Sequence, residues 1–221
     1  MFPLARTVTS LRSARLGGLI IICAGLAVLF AGAGVAGVTW LAARVVELET
    51  GWLDTLVNWL VAGLGGLAGW FMLPPLVMLI AGIFQETIID RVERVAYPDR
   101  VRQEAPGFWS DLRHDIVFVL SALFLNILVL PLYFFGIGFF VSIALNSYLL
   151  GREFFEGVAG YHLGKPAAHR LALAHKREVY GNGFWITVMS LVPVVNLFMP
   201  IVATVWMVHV YHGLRDRERT G

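Results

Sequence analysis

The amino-acid sequence predicts an all-α integral membrane protein with two transmembrane helices and two helical hairpins that penetrate the bilayer only partly. Of the 221 residues, 58% are hydrophobic and 14% are charged, whereas a soluble domain is about a quarter charged. So little charge cannot coat a water-facing surface of this size, and much of the outer surface must therefore face lipid. The composition excludes a soluble globular protein and a disordered chain.

Four apolar runs, separated by short polar segments, make up most of the chain. They cover residues of about 16–43, 56–84, 116–150 and 179–212. The first two runs are predicted to be spans, because a helical crossing needs roughly 20 apolar residues. The first run follows a basic segment, as in a signal peptide, but its length and the lack of a cleavage site predict a retained span. We interpret the whole chain as a single membrane domain.

The basic residues predict the side of the membrane on which each polar segment lies. Of the 17 Lys and Arg residues, Arg44 alone falls between the first and second runs, beside Glu47, Glu49 and Asp54. By the positive-inside rule that segment is external, and the other segments and both termini are cytoplasmic. The third and fourth runs must then each begin and end on the cytoplasmic side.

Each of these two runs is therefore predicted to be a hairpin. Roughly 35 residues divided around a turn leave about 15 per arm, or about 22 Å of helix in a hydrocarbon core about 30 Å thick. Because unpaired amides are costly in hydrocarbon, the tips should be buried in protein or line a wet cavity. The alternative, a single long tilted helix for each run, would place residues 151–177 outside. The predicted turns contain residues that break helices: Pro131, Gly136, Gly138, Pro193, Asn196 and Pro200.

Small residues and the cysteine content add two constraints. The glycines inside the first two runs predict close helix packing rather than flexible linkers. Cys23 is the sole cysteine, which excludes a disulfide framework and a thiolate metal cluster. The glycines concerned are Gly32, Gly34, Gly37, Gly63, Gly65, Gly66 and Gly69.

Three carboxylates after the second run share one face of a predicted helix. Glu86, Asp90 and Glu93 are spaced i, i+4 and i+7. They could bind a cation or relay protons; alternatively, the helix is solvated and Asp90 pairs with Arg94. Glu86 lies just past the apolar run and is the candidate nearest a pore mouth.

The histidines offer a weaker signal for a metal. His209 and His212, at i and i+3, could share an ion, but the sequence fixes no third ligand. We interpret them as interfacial residues, with Trp206 and Tyr211 as anchors at the membrane boundary. His162, His169 and His175 lie in a predicted basic cytoplasmic loop, at spacings that match no zinc pattern. The sequence thus predicts no metal site and no cofactor.

Arginines near helix starts are the best candidates for anion binding, because the free amides and the helix dipole add to the side-chain charge. Arg15, beside Ser10 and Ser13 before the first run, has this arrangement. Alternatively, Arg12 and Arg15 only fix the orientation of the chain.

Amides in or beside the hairpin arms are candidates for a polar path. They are Asn126, Asn146, Asn182 and Asn196. Asn196 is the one we expect at a wet tip, and hydrogen bonding between helices is the equal alternative for this group.

Motifs for other function classes are missing from the sequence. It contains no Gly-x-Ser-x-Gly, no Walker loop and no His-Glu-x-x-His, so the common hydrolase, nucleotide-driven and metalloprotease signatures are absent. Its basic residues form no aromatic-interleaved patch on a separable soluble domain. We expect neither an enzyme nor a nucleic-acid-binding protein.

Three segments resemble one known family. Leu191–His212, LVPVVNLFMPIVATVWMVHVYH, resembles the last hairpin of the CysZ-like sulfate permease family, also called the etoposide-induced-protein family. The segments QETIIDRVERVAYPD (85–99) and NSYLLGREFFE (146–156) are similar to its charged helix and to the end of its first hairpin, best in the bacterial branch with short loops. The resemblance implies two spans and two partly penetrating hairpins in a homo-oligomer.

The resemblance also implies an activity and a site. It implies sulfate uptake across a bacterial inner membrane for cysteine synthesis, without ATP hydrolysis. It also implies an anion-binding site at a Gly-hydrophobic-Arg(-Arg) turn before the first span. The corresponding stretch here is Ser13-Ala14-Arg15-Leu16, in which Arg15 alone keeps the pattern.

These observations predict a permease or channel-like transporter for a small inorganic anion, with sulfate as the expected substrate. The expected anion-binding residues are Arg15, Ser13 and Arg12, and the pathway or gate candidates are Glu86, Asn146 and Asn196. The alternative is a structural or regulatory membrane protein that contacts lipid through wedge-like hairpins and transports nothing. A third possibility, an enzyme acting on lipid, would require Glu86, Asp90 or His209 to cluster at one interface.

Overall fold

The computed structural model of the chain describes residues 3–45, 51–100, 102 and 108–220. The all-α prediction is confirmed for these residues, in which every regular element is a helix. The α-helices are α1 (Leu4–Ser13), α2 (Gly17–Val45), α3 (Gly51–Ile83), α4 (Gln85–Ala96), α5 (Phe108–Val129), α6 (Gly138–Leu163), α7 (Lys165–Ala174), α8 (Lys176–Ser190), α9 (Pro193–Asn196) and α10 (Met199–Thr220).

Two helices pass a test of length and apolar composition for crossing a bilayer. Within the described residues these are Gly17–Leu41 in α2 and Arg113–Tyr133, which covers most of α5 and the turn after it. The first agrees with the predicted span of about 16–43. The second belongs to the predicted first hairpin, whose α5 arm has 22 residues rather than the 15 expected, because the helix begins at Phe108, before the apolar run.

Contacts divide the chain into two units, and one of them is Gly18–Ile83. In this unit α2 and α3 approach closely at glycines. A Cβ at Gly69 would lie 2.7 Å from Cγ2 of Val35, and one at Gly65 would lie 3.5 Å from Cγ1 of the same residue. Close packing therefore requires a small residue at Gly69. At Gly32, Gly34, Gly37, Gly63 and Gly66 an added Cβ would meet nothing within 4 Å, so the packing prediction is not supported at these positions.

The other unit comprises Met1–Gly17 and Phe84–Gly221, in which α10 packs against α1, α4, α6 and α8. Surrounded in this way, α10 buries side chains on all its faces. Trp206 is 1% exposed and Tyr211 is 5% exposed. The prediction that these two residues anchor the chain at the membrane boundary was therefore wrong, because both side chains are enclosed by neighbouring helices.

The segment predicted to be a basic loop, 151–177, is helical instead. It comprises the second half of α6, all of α7 and the start of α8. The break between α6 and α7 falls at Gly164, whose φ of 78° suits glycine and whose N–H bonds to the carbonyl of Gly160 at 2.9 Å. The loop prediction was wrong because this polar segment is rich in residues that favour helix.

The third and fourth apolar runs are each broken near the predicted residues, which excludes the single-helix alternative. After α5 the chain forms a 3-10 turn at Leu130–Tyr133 and reaches a φ of 74° at Gly136, and α6 then begins at Gly138. In the fourth run α8 ends at Ser190, the short helix α9 follows, and α10 begins at Met199.

The tip between α5 and α6 is exposed on the single chain. Phe134 is 94% exposed and Phe135 is 75% exposed. Their amides donate to the carbonyls of Pro131 and Leu132, each at 3.2 Å. The turn satisfies these donors locally, which removes part of the cost of placing backbone in hydrocarbon. The expectation of a tip that is buried in protein or lines a wet cavity concerns the membrane-embedded protein and stays a prediction.

Candidate functional site

The three candidate anion-binding residues lie in the turn between α1 and α2. Arg12 and Ser13 end α1, and Arg15 lies two residues before α2. All three are exposed, whereas Ala14 and Leu16 beside Arg15 are buried. Arg15 has a φ of 51°, the one positive φ of a non-glycine residue in the described part of the chain. This conformation costs on the order of 1–2 kcal/mol and points to a local constraint.

Ser10, which the sequence placed beside this turn, belongs to a different group. It is buried, and its Oγ lies 3.0 Å from Nε2 of His209. Nδ1 of His209 lies 2.9 Å from the hydroxyl of Tyr97. His209 is thus bonded between α1 and the residue after α4, and it does not form a ligand pair with His212.

The pathway candidates lie on separate elements. Glu86 is in α4, with a side chain that is 72% exposed and an Oε2 that lies 3.6 Å from Nη2 of Arg102. Asn146 is in α6 and donates to the carbonyl of Ser142 at 2.9 Å, while Asn196 ends α9. No hydrogen bond joins any two of the three within the described ranges.

The three carboxylates of α4 do not act as one group. Asp90 accepts a hydrogen bond from Nε of Arg94 at 2.8 Å, the pairing that the sequence offered as an alternative. Glu93 is fully buried. The three carboxylates share one face of α4 in sequence, but in the structure Glu86 faces solvent and Glu93 lies in the protein interior.

Glu93 accepts hydrogen bonds from two histidines that come from other helices. Nε2 of His162 in α6 and Nε2 of His212 in α10 each lie 2.7 Å from its Oε1. Aromatic rings cover both imidazoles: Tyr97 stacks on His212 with centroids 4.0 Å apart, and Tyr211 stacks on His162 at 5.2 Å. The other carboxylate oxygen, Oε2, is buried without a hydrogen-bond partner among the described residues.

Two opposing effects act on the charge of Glu93. Burial alone would raise its pKa, but the hydrogen bonds and the charges of His162 and His212 hold the pKa below its ordinary value. Glu93 is therefore a carboxylate at neutral pH, held in the interior by donors on two neighbouring helices.

A cavity of about 450 Å³ adjoins this cluster. Two of its arginines are paired with carboxylates: Arg100 lies 2.6 Å from Asp216, and Arg215 lies 2.7 Å from Glu218. The cavity is lined by Asp99, Arg100, His162, Tyr211, His212, Arg215 and Arg219. It gives the two histidines of the Glu93 cluster an opening toward polar surroundings.

A second cluster also has a buried glutamate between two histidines, but an arginine is bonded to this glutamate as well. Oε2 of Glu156 lies 2.8 Å from Nε2 of His114, and Oε1 lies 2.6 Å from Nδ1 of His169. Nε of Arg152 also donates to Oε1, at 2.7 Å. Both oxygens of Glu156 are therefore bonded, and a permanent cation balances the charge.

Sequence reasoning missed the Glu93 cluster. Glu93 lies four residues after Ile89 and directly after Val92, both of which are buried, so it borders the apolar face of α4. That position is the one local sign of its burial. Its histidine partners are 69 and 119 residues away along the chain, and no local pattern could have joined them.

One protein family matches the chain over most of its length. The model of the family described as sulfate transporter CysZ/etoposide-induced protein 2.4 matches residues 4–200, from the first residue of α1 to the second residue of α10. No curated protein and no solved structure matches the chain.

Proposed function

The chain belongs to the sulfate transporter CysZ/etoposide-induced protein 2.4 family, and from this premise we propose that it moves a small inorganic anion, sulfate, across a bacterial inner membrane. The family match over residues 4–200 is the observation that carries the proposal. Transport would follow a permease or channel-like route and would supply sulfate for sulfur assimilation.

The turn at Arg12, Ser13 and Arg15 is the proposed anion-binding site. Its geometry supports this role in two ways. The buried residues on either side of Arg15 leave its guanidinium at the surface, and the first amides of α2, which begins at Gly17, lack acceptors within their own helix. Such amides and an arginine together favour a dianion more than either does alone.

Glu86, Asn146 and Asn196 remain the proposed pathway or gate residues. The amides would offer neutral hydrogen bonds to a passing anion, and the exposed carboxylate of Glu86 would repel it or gate its exit. The three lie on different elements, so a path through them would have to run between helices. We propose a homo-oligomer with cytoplasmic termini, two spans and two partly inserted hairpins.

The test is sulfate uptake into proteoliposomes. Arg15→Ala should lower the initial uptake rate more than tenfold without changing insertion, because the site loses its charge at the turn. Arg91→Ala, which removes an exposed arginine of α4, is the matched control and should leave uptake unchanged. Equal uptake by the Arg15→Ala variant and the wild type would refute the assignment of the site.

The second candidate function is that of a structural or regulatory membrane protein whose wedge-like hairpins insert into lipid and transport nothing. One observation favours it. The exposed phenylalanines at the tip of the α5–α6 hairpin, Phe134 and Phe135, suit insertion into lipid with no substrate involved. Sulfate flux into vesicles that contain the protein distinguishes the two functions. Flux no greater than in empty vesicles would refute transport and favour the wedge.

A further inference from the structure

Glu93, His162 and His212 have no part in the proposed transport pathway, and their chemistry suits a different ligand. We propose that these three residues form a binding site for a divalent transition-metal ion of the zinc type. Two imidazoles and one carboxylate are a ligand set that zinc uses in proteins, with a water or another small ligand in the fourth position. The inference is independent of transport and concerns a different part of the chain from Arg15.

The distances suit a metal after a small adjustment. One ligand atom from each residue lies within 4.8 Å of the other two. Tetrahedral zinc, with bonds of about 2.0–2.2 Å, holds its ligand atoms about 3.3 Å apart. The present separations of 2.7 Å between Oε1 of Glu93 and each Nε2 would need to open by about 0.6 Å. On binding, each imidazole would offer its Nε2 lone pair and carry its proton on Nδ1.

The unbonded oxygen of Glu93 is the independent sign that the cluster lacks a partner. Oε2 is buried and accepts no hydrogen bond from any described residue, although a buried carboxylate is costly unless its oxygens are satisfied. In the Glu156 cluster both oxygens are bonded, and Arg152 supplies the positive charge. That cluster is complete as it stands. In the Glu93 cluster both donors to Oε1 are histidines, which can release the bonding proton to a metal ion, and an ion held by both carboxylate oxygens would also give Oε2 a partner.

The surroundings hold the ligands in place and leave room for a fourth one. Stacking of Tyr97 and Tyr211 restrains the two imidazole rings, and three helices supply the three ligands. The cavity of about 450 Å³ beside His162 and His212 offers space for a water molecule. Arg100 and Arg215, which line the same cavity, are paired with Asp216 and Glu218 and so repel a cation less than free arginines would.

Calorimetric titration with ZnCl₂ tests the proposal on the purified full chain in detergent, without a polyhistidine tag and after chelation. We expect the wild type to bind one ion per chain. His212→Gln should weaken this binding at least tenfold, since loss of a ligand costs more than the 10- to 100-fold that is typical of outer-shell changes. His169→Gln is the matched control, because it removes a histidine that bonds a buried glutamate in the Glu156 cluster, and it should leave the affinity unchanged.

Two results would overturn the proposal: no saturable binding by the wild type, or equal weakening by both substitutions. Cobalt absorption provides a test that does not depend on how the variants fold. Co²⁺ added to the wild type should give the intense visible bands of tetrahedral coordination, and added Zn²⁺ should abolish them. A spectrum like that of Co²⁺ in buffer would also refute the site. Neither the zinc titration nor the cobalt spectrum depends on sulfate uptake, so both can be interpreted even if the transport proposal fails.

Discussion

At the residue scale, Glu153 of α6 is a buried acid whose charge should depend on pH near neutrality. Burial raises its pKa to about 7; the ammonium of Lys165 opposes the rise, and the carboxylate of Asp115 adds to it. Lys165 is itself 2.9 Å from Asp115, so its charge is shared between two carboxylates. Glu153 is therefore protonated in the folded chain at a pH at which it would be ionised in the unfolded chain.

The sign of the pH effect follows from this difference. Because the folded state keeps the proton up to about pH 7 and the unfolded state loses it near 4.5, stability falls as the pH rises between these values. Glu153→Gln removes the effect. The melting temperature of the variant minus that of the wild type should thus be larger at pH 8 than at pH 5, by the equivalent of about 1–3 kcal/mol.

Thermal unfolding of both proteins in the same detergent at the two pH values checks this prediction. Subtracting the wild-type value at each pH cancels the contributions of the histidines. An identical difference at pH 5 and pH 8 would show that Glu153 is ordinarily solvated.

At the element scale, the crossing of α6 and α8 depends on two facing glycines. A Cβ at Gly183 would lie 2.6 Å from Cα of Gly151, and one at Gly151 would lie 2.8 Å from the carbonyl oxygen of Val179. The neighbouring atoms are backbone, which cannot rotate away as a side chain can. The helices can pack at this distance only while both positions carry no side chain.

Gly183→Ala should therefore destabilise the protein. Because the clash is with backbone, its cost should lie at the upper end of the usual range of about 1–3 kcal/mol. It should therefore exceed the gain of up to about 1 kcal/mol in helix propensity when alanine replaces glycine. We expect a melting temperature lower by at least about 3 °C, measured by intrinsic fluorescence in detergent.

Gly181→Ala is the matched control in the same helix. A Cβ at Gly181 would meet nothing within 4 Å, so this variant should keep or slightly raise the melting temperature. Equal decreases for the two substitutions would mean that the effect comes from the backbone of α8 and not from its contact with α6.

At the scale of the whole molecule, the distribution of charge and the length of α5 predict different topologies for the first hairpin. The positive-inside rule requires both of its ends on the cytoplasmic side. Yet α5, with 22 residues, is about 33 Å long, enough to cross a hydrocarbon core of about 30 Å. The position of the tip, at Phe134, is therefore the sharpest test of the predicted topology.

Single cysteines introduced into a Cys23→Ser background can locate the tip. With a membrane-impermeant maleimide on spheroplasts, Thr55→Cys, next to the predicted external segment, should be labelled. Arg177→Cys should be labelled only after permeabilisation, because its segment is predicted to be cytoplasmic. Phe134→Cys should be labelled under neither condition if the tip stops inside the bilayer, and its labelling in intact spheroplasts would show that the hairpin crosses.

Much of the fold was predictable because the relevant signals are local. Scarcity of charge and the apolar runs predict a helical membrane protein, and Pro131 and Gly136 mark a break in the third run because proline and glycine act on the backbone beside them. The turn at Arg15 was implied by the family resemblance and not by a local backbone signal. The predictions for Trp206 and Tyr211 failed because an aromatic residue near the end of an apolar run looks the same in sequence whether lipid or another helix covers it.

The sequence by itself determined the class of the protein, the breaks in the third and fourth apolar runs and, through its resemblance, the family. Only the tertiary structure decided which polar side chains meet. The sequence groups Glu93 with Glu86 and Asp90, because the three share a helix face. In the structure Glu93 is buried against His162 and His212, which are 69 and 119 residues away along the chain. The periodicity of a sequence shows which residues share a face of one helix. A cluster such as that of Glu93 depends on which helices pack together, and this packing is determined by contacts between segments that are distant in the sequence.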